Sequence, residues 1–323
     1  MGDPNGIGPE ILATCLRDAT LTSEIEILPV GDPQVLAPYI DPETEARDGH
    51  AWPGMEVVSA EPGFVLSPGT ADPLAGALAM ASVARAITLC LQGRVDAMTT
   101  CPISKEVIAR AGFDVPGHTE FIARETASSD VLMMMVSGHL RVGLVTAHMP
   151  LSQVASHITQ ERISRTIRLM STSLKRDFGI RHPRIAVLGL NPHAGDGGVL
   201  GTEEEQIIIP TMAGCADMAE LSGPFPADGF FGSGRWEQVD GVVAMYHDQG
   251  LGPFKALSFG RGVNFSAGLP IIRTSPDHGT GFDIAGKGLA DASSLKAALH
   301  VAAEVARQRA TTNMNQQGAE QAG

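Results

Sequence analysis

Three short apolar segments of this chain end at or just before a histidine. The segments cover residues 142–147, 185–190 and 242–246. The histidines that follow them are His148, His193 and His247. Apolar runs of this length are typical of strands that are buried on both faces of a parallel sheet. Because helical segments separate the strands over most of the chain, we predict an α/β fold with a largely parallel sheet.

The rest of the pattern predicts one hairpin and several long helices. The turn around Gly138 separates two apolar segments and favours an antiparallel pair within the sheet. The predicted helices cover residues 74–91, 117–126, 158–178, 202–221 and 293–309. Residues 33–72 are rich in proline and acidic side chains and are predicted to form turns and loops. The chain opens on GDPNGIGPE, a loop of a kind that normally follows a strand, so we expect a missing strand or a start placed too far downstream.

The composition argues against several classes of function. A net charge of −13 disfavours nonspecific binding to nucleic acid, which requires a basic surface. The four cysteines are widely spaced and form no CxxC pair, which favours a reduced, cytoplasmic protein. The chain has no secretory signal and no run of the roughly 18 apolar residues that a membrane helix needs, so we expect no membrane span.

The three histidines at the strand ends are the best candidates for metal ligands. Ligands of open α/β sheets bind beyond the carboxyl ends of the strands, where these side chains are expected. Three neutral imidazoles can hold a divalent ion and leave positions open for a substrate. Since the chain has 10 histidines, a chance placement of three of them at strand ends is the competing interpretation.

Residues 246–288 carry a high density of polar side chains on a glycine-rich backbone. Because glycine lets a backbone approach a ligand closely, we predict that this stretch is a loop that lines a site. A second candidate site begins at Gly117, where backbone N–H groups of a helix N-terminus and the Thr119 hydroxyl suit a phosphate. An ordinary N-cap by Thr119 is the competing interpretation there. Lys255, Asn264 and Arg273 would complete an anion pocket, although each alone is typical of a solvated surface.

Five motifs together resemble one known family. They are GDPNGIGPE (2–10), GHTEF (117–121), NPHAGDGG (191–198), YHDQG (246–250) and GVNFSAGLPIIRTSPDHGTGFDIAGKG (262–288). In this order they resemble the 4-hydroxythreonine-4-phosphate dehydrogenases of vitamin B6 biosynthesis. The last motif is also similar to the HGSAPDIAGKG loop of isopropylmalate and isocitrate dehydrogenases. The resemblance implies the two-domain fold of those enzymes, with largely parallel mixed sheets and a cleft between the domains. We expect a discontinuous NAD-side domain of residues 1–115 and 250–323, and a central domain of residues 116–249 with the dimer interface.

The resemblance also implies a role for each candidate residue. The implied metal ligands, in a site shared across a homodimer interface, are His148, His193 and His247. The implied substrate-binding residues are His118, Thr119, Lys255, Asn264 and Arg273. The implied cofactor-binding residues are His278, Gly279, Thr280 and Asp283. Lys255 and Asp228 are the implied catalytic residues, and a Lys beside a divalent ion would have a lowered pKa suited to proton transfer.

The implied reaction is the NAD-dependent oxidation of the C3 hydroxyl of 4-phosphooxy-L-threonine, with loss of CO2 to give 3-amino-2-oxopropyl phosphate. NADP is a second possible cofactor, and Zn, Co, Ni or Mg are candidate ions. A sister enzyme that acts on 4-phospho-D-threonate or D-erythronate is the alternative, since those substrates keep the phosphate and the hydroxyl. A diol dehydrogenase of aromatic degradation is disfavoured by the GHTEF motif. The third interpretation belongs to a different class of function: a non-redox protein that binds a phosphate ligand, or a metal-dependent hydrolase on the same scaffold.

Overall fold

The computed structural model describes residues 1–40, 54–115 and 117–321, with the side chains of 313 and 315–321 left out. The chain divides into two compact units. The first comprises Met1–Ser129 and Leu269–Ala303, and the second comprises Asp130–Gly268 and Glu304–Gly323. The predicted domain boundaries differ from these units and stay a prediction. They assign residues 1–115 and 250–323 to an NAD-side domain and residues 116–249 to a central domain.

The helices and strands alternate along most of the chain. In chain order they are α1 (Gly8–Leu16), α2 (Ala19–Glu24), β1 (Val30–Gly31), α3 (Pro33–Leu36), β2 (Glu56–Val57), α4 (Pro73–Leu91), β3 (Ala97–Thr99), α5 (Lys105–Arg110), α6 (His118–Glu125), β4 (Leu132–Ser137), β5 (Leu140–Leu144), α7 (Leu151–His157), α8 (Gln160–Arg176), β6 (Arg184–Leu188), α9 (Ile209–Gly214), β7 (Glu220–Phe225), α10 (Ala227–Gly232), β8 (Gly241–Ala244), α11 (His247–Ser258), β9 (Val263–Ala267), β10 (Ile272–Pro276) and α12 (Ser293–Gln321). The helices predicted over 74–91, 117–126 and 158–178 and the hairpin β4–β5 are confirmed.

Helix α4 packs against β1, β3, α5 and α6 of the first unit. Asp72 caps its N-terminus by accepting a hydrogen bond from the Leu74 N–H at 3.0 Å. Gly76 allows α5 to pack closely, because a Cβ atom there would meet the Val107 carbonyl oxygen at 2.9 Å. By length and composition alone α4 could cross a membrane, but 50% of its most apolar window is buried inside the protein. A core helix of a soluble protein has the same properties, and α4 packs as one here.

Two parallel strands of the first unit place an arginine in the interior. β3 and β10 pair in parallel, with Thr99 opposite Thr274 and Met98 opposite Arg273. The Thr99 and Thr274 hydroxyl oxygens are 2.9 Å apart, so one hydroxyl donates to the other. All five residues of β10 are buried, and Arg273 is only 2% exposed. A buried Arg is rare in proteins unless its guanidinium has partners, so this strand marks a candidate site.

The second unit is built on six strands in the order β9-β4-β5-β8-β6-β7. β4 is antiparallel to β5 and β9, while the pairs β5–β8, β8–β6 and β6–β7 are parallel. The sheet is therefore mixed. Helix α11 packs on it through Gly250, where a Cβ atom would meet the Leu144 and Val142 side chains at 2.9 Å. The core between helix and sheet includes Val142, Phe230 and Phe254.

Residues 246–288 do not form one loop, and that prediction is wrong. They form α11, β9 and β10, joined by short turns, and a longer irregular segment begins only after Pro276. Some of the glycines serve packing rather than flexibility, as Gly250 does against β5. Gly268, with a φ of 98°, lies in the turn between β9 and β10. Glycine density alone therefore did not distinguish a close helix–sheet contact from a loop.

The helix predicted over residues 202–221 is also wrong in its extent. The chain forms a π-helical turn at Glu204–Ile208, then α9, and then the edge strand β7. The π-helical turn begins after Glu203, and no side-chain hydrogen bond caps it. β7 contains Pro224, which an edge strand tolerates because its N–H side need not pair. Of the predicted loop 33–72, residues 41–53 lie outside the described residues, and the rest contains α3 and β2.

All four cysteines lie in the described ranges and are free thiols, as predicted. Three of them are buried. Burial raises the pKa of the Cys15 and Cys90 thiols to about 12 in each case. Since the thiolate is the reactive form, neither thiol is a candidate nucleophile at neutral pH.

Candidate functional site

Strands β5 and β8 carry two of the predicted metal ligands beyond their carboxyl ends. The strands pair in parallel, with Leu144 opposite Ala244, so both reach the same edge of the sheet. His148 follows β5, and His247 is the first residue of α11. The centroids of the two imidazole rings are 5.9 Å apart. The parallel register therefore brings these two predicted ligands together.

The third predicted ligand, His193, lies in a left-handed turn that follows β6. His193, Ala194 and Asp196 have φ angles of 54°, 52° and 46°, which residues other than glycine rarely adopt. In the described part of the chain, no group of three His, Cys, Asp or Glu side chains could hold a metal ion. Two imidazoles side by side suit a divalent ion such as Zn, Co or Ni. Within one chain, however, the described residues supply only part of the predicted ligand set.

A buried carboxylate holds the loop that carries His193. Glu204 is 2% exposed, and its Oε1 accepts the backbone N–H groups of Leu190 and Asn191 at 2.7 and 2.8 Å. Its Oε2 accepts a hydrogen bond from the Asn191 side chain at 2.9 Å. These bonds fix the backbone two residues before His193. No role for Glu204 in the site was predicted from the sequence, and the run of three glutamates was the one signal at this segment.

Gln249 connects the start of α11 to the end of β6. Its Oε1 accepts the Met245 backbone N–H at 2.7 Å, and its Nε2 donates to the Gly189 carbonyl oxygen at 2.6 Å. His247, two residues earlier, donates a hydrogen bond from Nδ1 to the Asp248 carboxylate at 2.7 Å. The side chain of Gln249 thus positions the backbone next to both candidate metal-binding loops of the second unit. The prediction from sequence did not include this residue.

The two predicted catalytic residues also lie in the second unit. Lys255 is exposed and lies on α11, two turns after His247. Asp228 is exposed in the first turn of α10, and α10 lies beside the turn that carries His193. The catalytic roles of Lys255 and Asp228 stay predictions.

In the first unit, the charge of Arg273 acts on the ring of His118. His118 is the first residue of α6, whose N-cap is Gly117 and not Thr119. The Nε2 atom of His118 is buried and has no hydrogen-bond partner among the described residues. Burial, and then the nearby positive charge of Arg273, hold the pKa of His118 well below its usual value, so the ring is neutral. Burial lowers the pKa of Arg273 to about 10, so the guanidinium is still protonated at neutral pH.

This arrangement suits an anion. A cation that is buried beside a neutral imidazole with an unused nitrogen can bind phosphate oxygens through charge and hydrogen bonds together. Thr119 follows in the first turn of the same helix. Asn264, in the second unit, lies on β9 and also has a buried side-chain oxygen without a partner in the described part of the chain. Buried polar atoms are normally paired, so unpaired ones indicate a missing ligand or water.

The predicted cofactor-binding residues follow β10 in the first unit. The Thr280 carbonyl oxygen accepts the Ile7 backbone N–H at 2.9 Å, so the N-terminal loop packs against this segment. Gly6 allows the contact, because a Cβ atom there would meet the same oxygen at 2.9 Å. The buried Nε2 of His278 has no partner among the described residues, while Gly279 and Asp283 lie close by in the chain. The segment thus offers a ligand a free imidazole nitrogen.

A cavity of about 400 Å³ opens at the far end of the same segment. Its lining includes Glu10, Arg17, Tyr39 and Gly286, and it includes none of the four predicted cofactor-binding residues. The Glu10 carboxylate accepts backbone N–H groups of Gly286 and Ala290 at 3.1 Å each. Glu10 therefore shapes the segment after the predicted cofactor-binding residues, and its two oxygens are both engaged.

We expect the buried Asp3 in the N-terminal loop to make the free energy of unfolding depend on pH. It is 1% exposed, and its Oδ2 has no partner among the described residues. Burial raises the pKa of Asp3 to about 6, although a hydrogen bond from the Asn5 N–H opposes this. The folded protein therefore holds this proton more tightly than the unfolded chain, where an Asp has a pKa of about 3.9. The stabilisation is complete below about pH 4 and is lost as the pH rises through 6.

Through Asp3, the unfolding free energy of the wild type should fall by about 2 kcal/mol between about pH 4.5 and about pH 7.5. We expect Asp3→Asn to abolish this fall. Urea unfolding of the wild type and the variant at both pH values measures this difference. Parallel pH profiles for the two proteins would show that Asp3 titrates normally in the folded state.

Comparisons with known proteins agree on one family. Residues 13–302 of the chain match the sequence profile of the family described as pyridoxal phosphate biosynthetic protein PdxA. A 4-hydroxythreonine-4-phosphate dehydrogenase of Prosthecochloris aestuarii is 45% identical, and the match covers 96% of each chain. The crystal structure of a 4-hydroxythreonine-4-phosphate dehydrogenase from Klebsiella pneumoniae is 39% identical, with a TM-score of 0.81 over 95% of this chain and 96% of that one.

A second kind of enzyme has the same fold. The structure of a terephthalate 1,2-cis-dihydrodioldehydrogenase from Burkholderia xenovorans is 32% identical, with a TM-score of 0.64 over 94% of this chain and 96% of that one. The similarity to these structures confirms the predicted isocitrate/isopropylmalate dehydrogenase-like fold. With a profile match over most of its length and relatives above 40% identity, the chain belongs to the PdxA family of vitamin B6 biosynthesis.

Proposed function

We propose that this protein is a metal- and NAD-dependent 4-hydroxythreonine-4-phosphate dehydrogenase of pyridoxal 5'-phosphate biosynthesis. It would oxidise 4-phosphooxy-L-threonine at C3 and release 3-amino-2-oxopropyl phosphate and CO2. The observation that carries the proposal is the convergence of His148 and His247, with ring centroids 5.9 Å apart, at the ends of two parallel strands. The names of the full-length relatives support the choice of substrate.

We propose that His148 and His247 hold one divalent ion together with His193. A divalent ion in such a site supplies a Lewis acid that lowers the pKa of an alcohol and holds the negative charge that decarboxylation develops. Neutral imidazoles leave the charge of the ion largely intact, which suits this role. Zn, Co and Ni are compatible with imidazole ligands, and Mg is compatible where substrate oxygens complete the shell.

We further propose that the protein is a homodimer with a shared active site. The two imidazoles that converge within one chain are only two of the three predicted ligands, and the described residues contain no group of three. A second subunit that places its His193 beside His148 and His247 of the first would complete the set. The buried Glu204 carboxylate supports this idea, because it fixes the loop of His193 before any metal binds.

The remaining predicted residues would bind and orient the substrate. Arg273 and His118 would bind the phosphate group, with Thr119 as a further donor, and Asn264 stays a predicted substrate-binding residue of the second unit. Lys255 would move the proton of the C3 hydroxyl or orient the carboxylate, with Asp228 nearby in support. The C3 hydride would pass to the nicotinamide ring of NAD, so that the substrate loses two electrons and the cofactor gains them. The resulting β-keto acid then loses CO2.

We assign cofactor binding to the segment that follows β10. His278 has a buried ring nitrogen without a partner among the described residues, which suits a polar group of a dinucleotide. Gly279, Thr280 and Asp283 complete the predicted set. The family implies a nicotinamide cofactor, and we propose NAD, with NADP as a second possibility. A soluble metabolic enzyme of this pathway would act in the cytoplasm.

The deciding experiment is NAD reduction with 4-phosphooxy-L-threonine, with and without a chelator. We expect NADH formation that is lost with the chelator and restored by Zn²⁺ or Co²⁺. The same assay with 4-phospho-D-threonate tests the sugar-acid alternative, which the names of the relatives do not favour. A higher kcat/KM for 4-phospho-D-threonate than for 4-phosphooxy-L-threonine would show that the proposed substrate is wrong. A titration that detects no NAD binding would instead favour the alternative interpretation, a metal-dependent hydrolase or a non-redox phosphate binder.

A further inference from the structure

We infer that Thr100 is a positioning residue that holds the guanidinium of Arg273 for the phosphate of the substrate. The inference rests on the proposed function, because it assigns the phosphate to the site of Arg273 and His118. Neither the motifs nor the predicted site residues include Thr100. It follows β3 directly, inside the segment Thr99-Thr100-Cys101-Pro102.

The contacts of Thr100 are direct. Its Oγ1 accepts two hydrogen bonds from Arg273, from Nε at 3.2 Å and from Nη2 at 2.8 Å. Its backbone N–H donates to the Thr274 carbonyl oxygen at 3.0 Å, so the strand pairing of β3 and β10 extends to this residue. Thr100 and Arg273 are 5% and 2% exposed. The hydroxyl therefore sits on a fixed backbone and in a dry environment.

The two bonds restrict a side chain that would otherwise be flexible. An Arg side chain loses about 2 kcal/mol of rotamer entropy when it is ordered, so a guanidinium that is fixed before the ligand arrives binds it more tightly. Thr is stiff at χ1 because it is β-branched, so its hydroxyl is itself a rigid acceptor. Two N–H groups that share one oxygen define the plane of the guanidinium, which bidentate recognition of phosphate requires.

The chemical identity of the partner matters as well as its position. A carboxylate in the place of Thr100 would neutralise the guanidinium, whereas a hydroxyl holds it and adds no charge. Burial lowers the pKa of Arg273 to about 10, and the charge of Glu120 on α6 opposes this shift. The side chain therefore stays cationic at neutral pH. The buried Nε2 of His118 has no partner among the described residues, and the pKa of His118 is lowered by burial and by the charge of this same cation.

A phosphate dianion would complete this group of three residues. Its oxygens would accept hydrogen bonds from the Arg273 guanidinium and from the His118 ring, while Thr100 keeps the guanidinium in plane. Loss of the Thr100 hydroxyl would remove an acceptor that two N–H groups of a buried, charged side chain share, which is a costly change for binding. The effect would fall on phosphate affinity and not on the redox step.

The test compares Thr100→Val, Thr100→Ser and Thr99→Val in the full-length protein. Val has nearly the shape of Thr and removes the hydroxyl, and Ser restores it. Thr99→Val is the matched control, because it removes a hydroxyl of the same strand that bonds Thr274 and not Arg273. The measurements are the Kd for inorganic phosphate by calorimetry, KM and kcat for 4-phosphooxy-L-threonine, and the thermal midpoint of each variant.

We expect Thr100→Val to raise the Kd for phosphate and the KM by about 10- to 100-fold, with kcat within about threefold of the wild type. Thr100→Ser should recover most of the affinity, and Thr99→Val should leave it unchanged. Equal phosphate affinity in Thr100→Val and the wild type would overturn the inference, as would no phosphate binding by the wild type. If the wild type binds phosphate but reduces no NAD, the proposed function fails while the role of Thr100 stands.

Discussion

Replacing His247 with alanine is expected to remove the bound divalent ion and to lower turnover by at least about 1000-fold. The ring of His247 lies 5.9 Å from that of His148, so its loss leaves one imidazole of this pair. A metal ion contributes several kcal/mol to the stabilisation of charge in such a reaction, and each 1.36 kcal/mol changes the rate tenfold. Calorimetric titration with Zn²⁺ or Co²⁺ measures the binding, and NADH formation at saturating substrate measures kcat.

Two further variants serve as controls for His247→Ala. His157→Ala removes an imidazole from the exposed end of α7 and should change neither metal binding nor turnover. Lys255→Ala, on the same helix as His247, should lower turnover by about 100-fold and leave the metal content unchanged. A His247→Ala protein that binds the ion with the affinity of the wild type would rule out the proposed ligand. Loss of metal from Lys255→Ala would make Lys255 a structural residue and not a catalytic one.

Replacing Asp177 with alanine is expected to lower the free energy of unfolding by about 3–5 kcal/mol. The carboxylate is buried, and it accepts hydrogen bonds from Ser173 at 2.6 Å, from Arg176 at 2.7 Å and from Arg309 at 2.7 Å. The Arg309 side chain is only 14% exposed, so Asp177→Ala would take a close anionic partner from a largely buried guanidinium. Arg309 lies on α12, and the ion pair therefore ties this helix to the end of α8. Urea unfolding measures the change.

Asp130 provides the matched control for Asp177. It also pairs with two arginines, Arg165 at 2.6 Å and Arg168 at 2.9 Å, but its side chain is 35% exposed. Exposed ion pairs contribute little because water screens them, so Asp130→Ala should change the unfolding free energy by less than about 1 kcal/mol. Similar losses in the two variants would mean that burial does not set the strength of these pairs.

The alternation of apolar strands and helices was enough to predict the fold class, because each strand of a parallel sheet requires a helix to return the chain. The structure places His148 and His247 after neighbouring parallel strands, which end at one edge, with ring centroids 5.9 Å apart. Glycine was less informative. The sequence of α11 contains a glycine that serves close packing, Gly250, and the pattern could not distinguish it from the glycines of a loop.

The supporting residues of the candidate site could not be predicted because their partners are distant in sequence. Thr100 holds Arg273 across 173 positions, and Gln249 reaches Gly189 across 60. Glu204 bonds Leu190 and Asn191 through a loop whose left-handed backbone has no sequence rule. Each contact depends on which strands are neighbours, and a single sequence does not contain that information. The roles inferred from the family resemblance for individual residues stay predictions.

The left-handed turn at His193 affects any attempt to transplant this centre into another scaffold. Grafting the three histidines alone would fail, because an ordinary loop relaxes to negative φ angles and points the imidazole elsewhere. The graft would also have to carry the Glu204 carboxylate and the glycines that make room for it, since a Cβ atom at Gly195 would meet a Glu204 oxygen at 2.8 Å. The smallest portable unit is therefore the whole segment from the end of β6 to the π-helical turn.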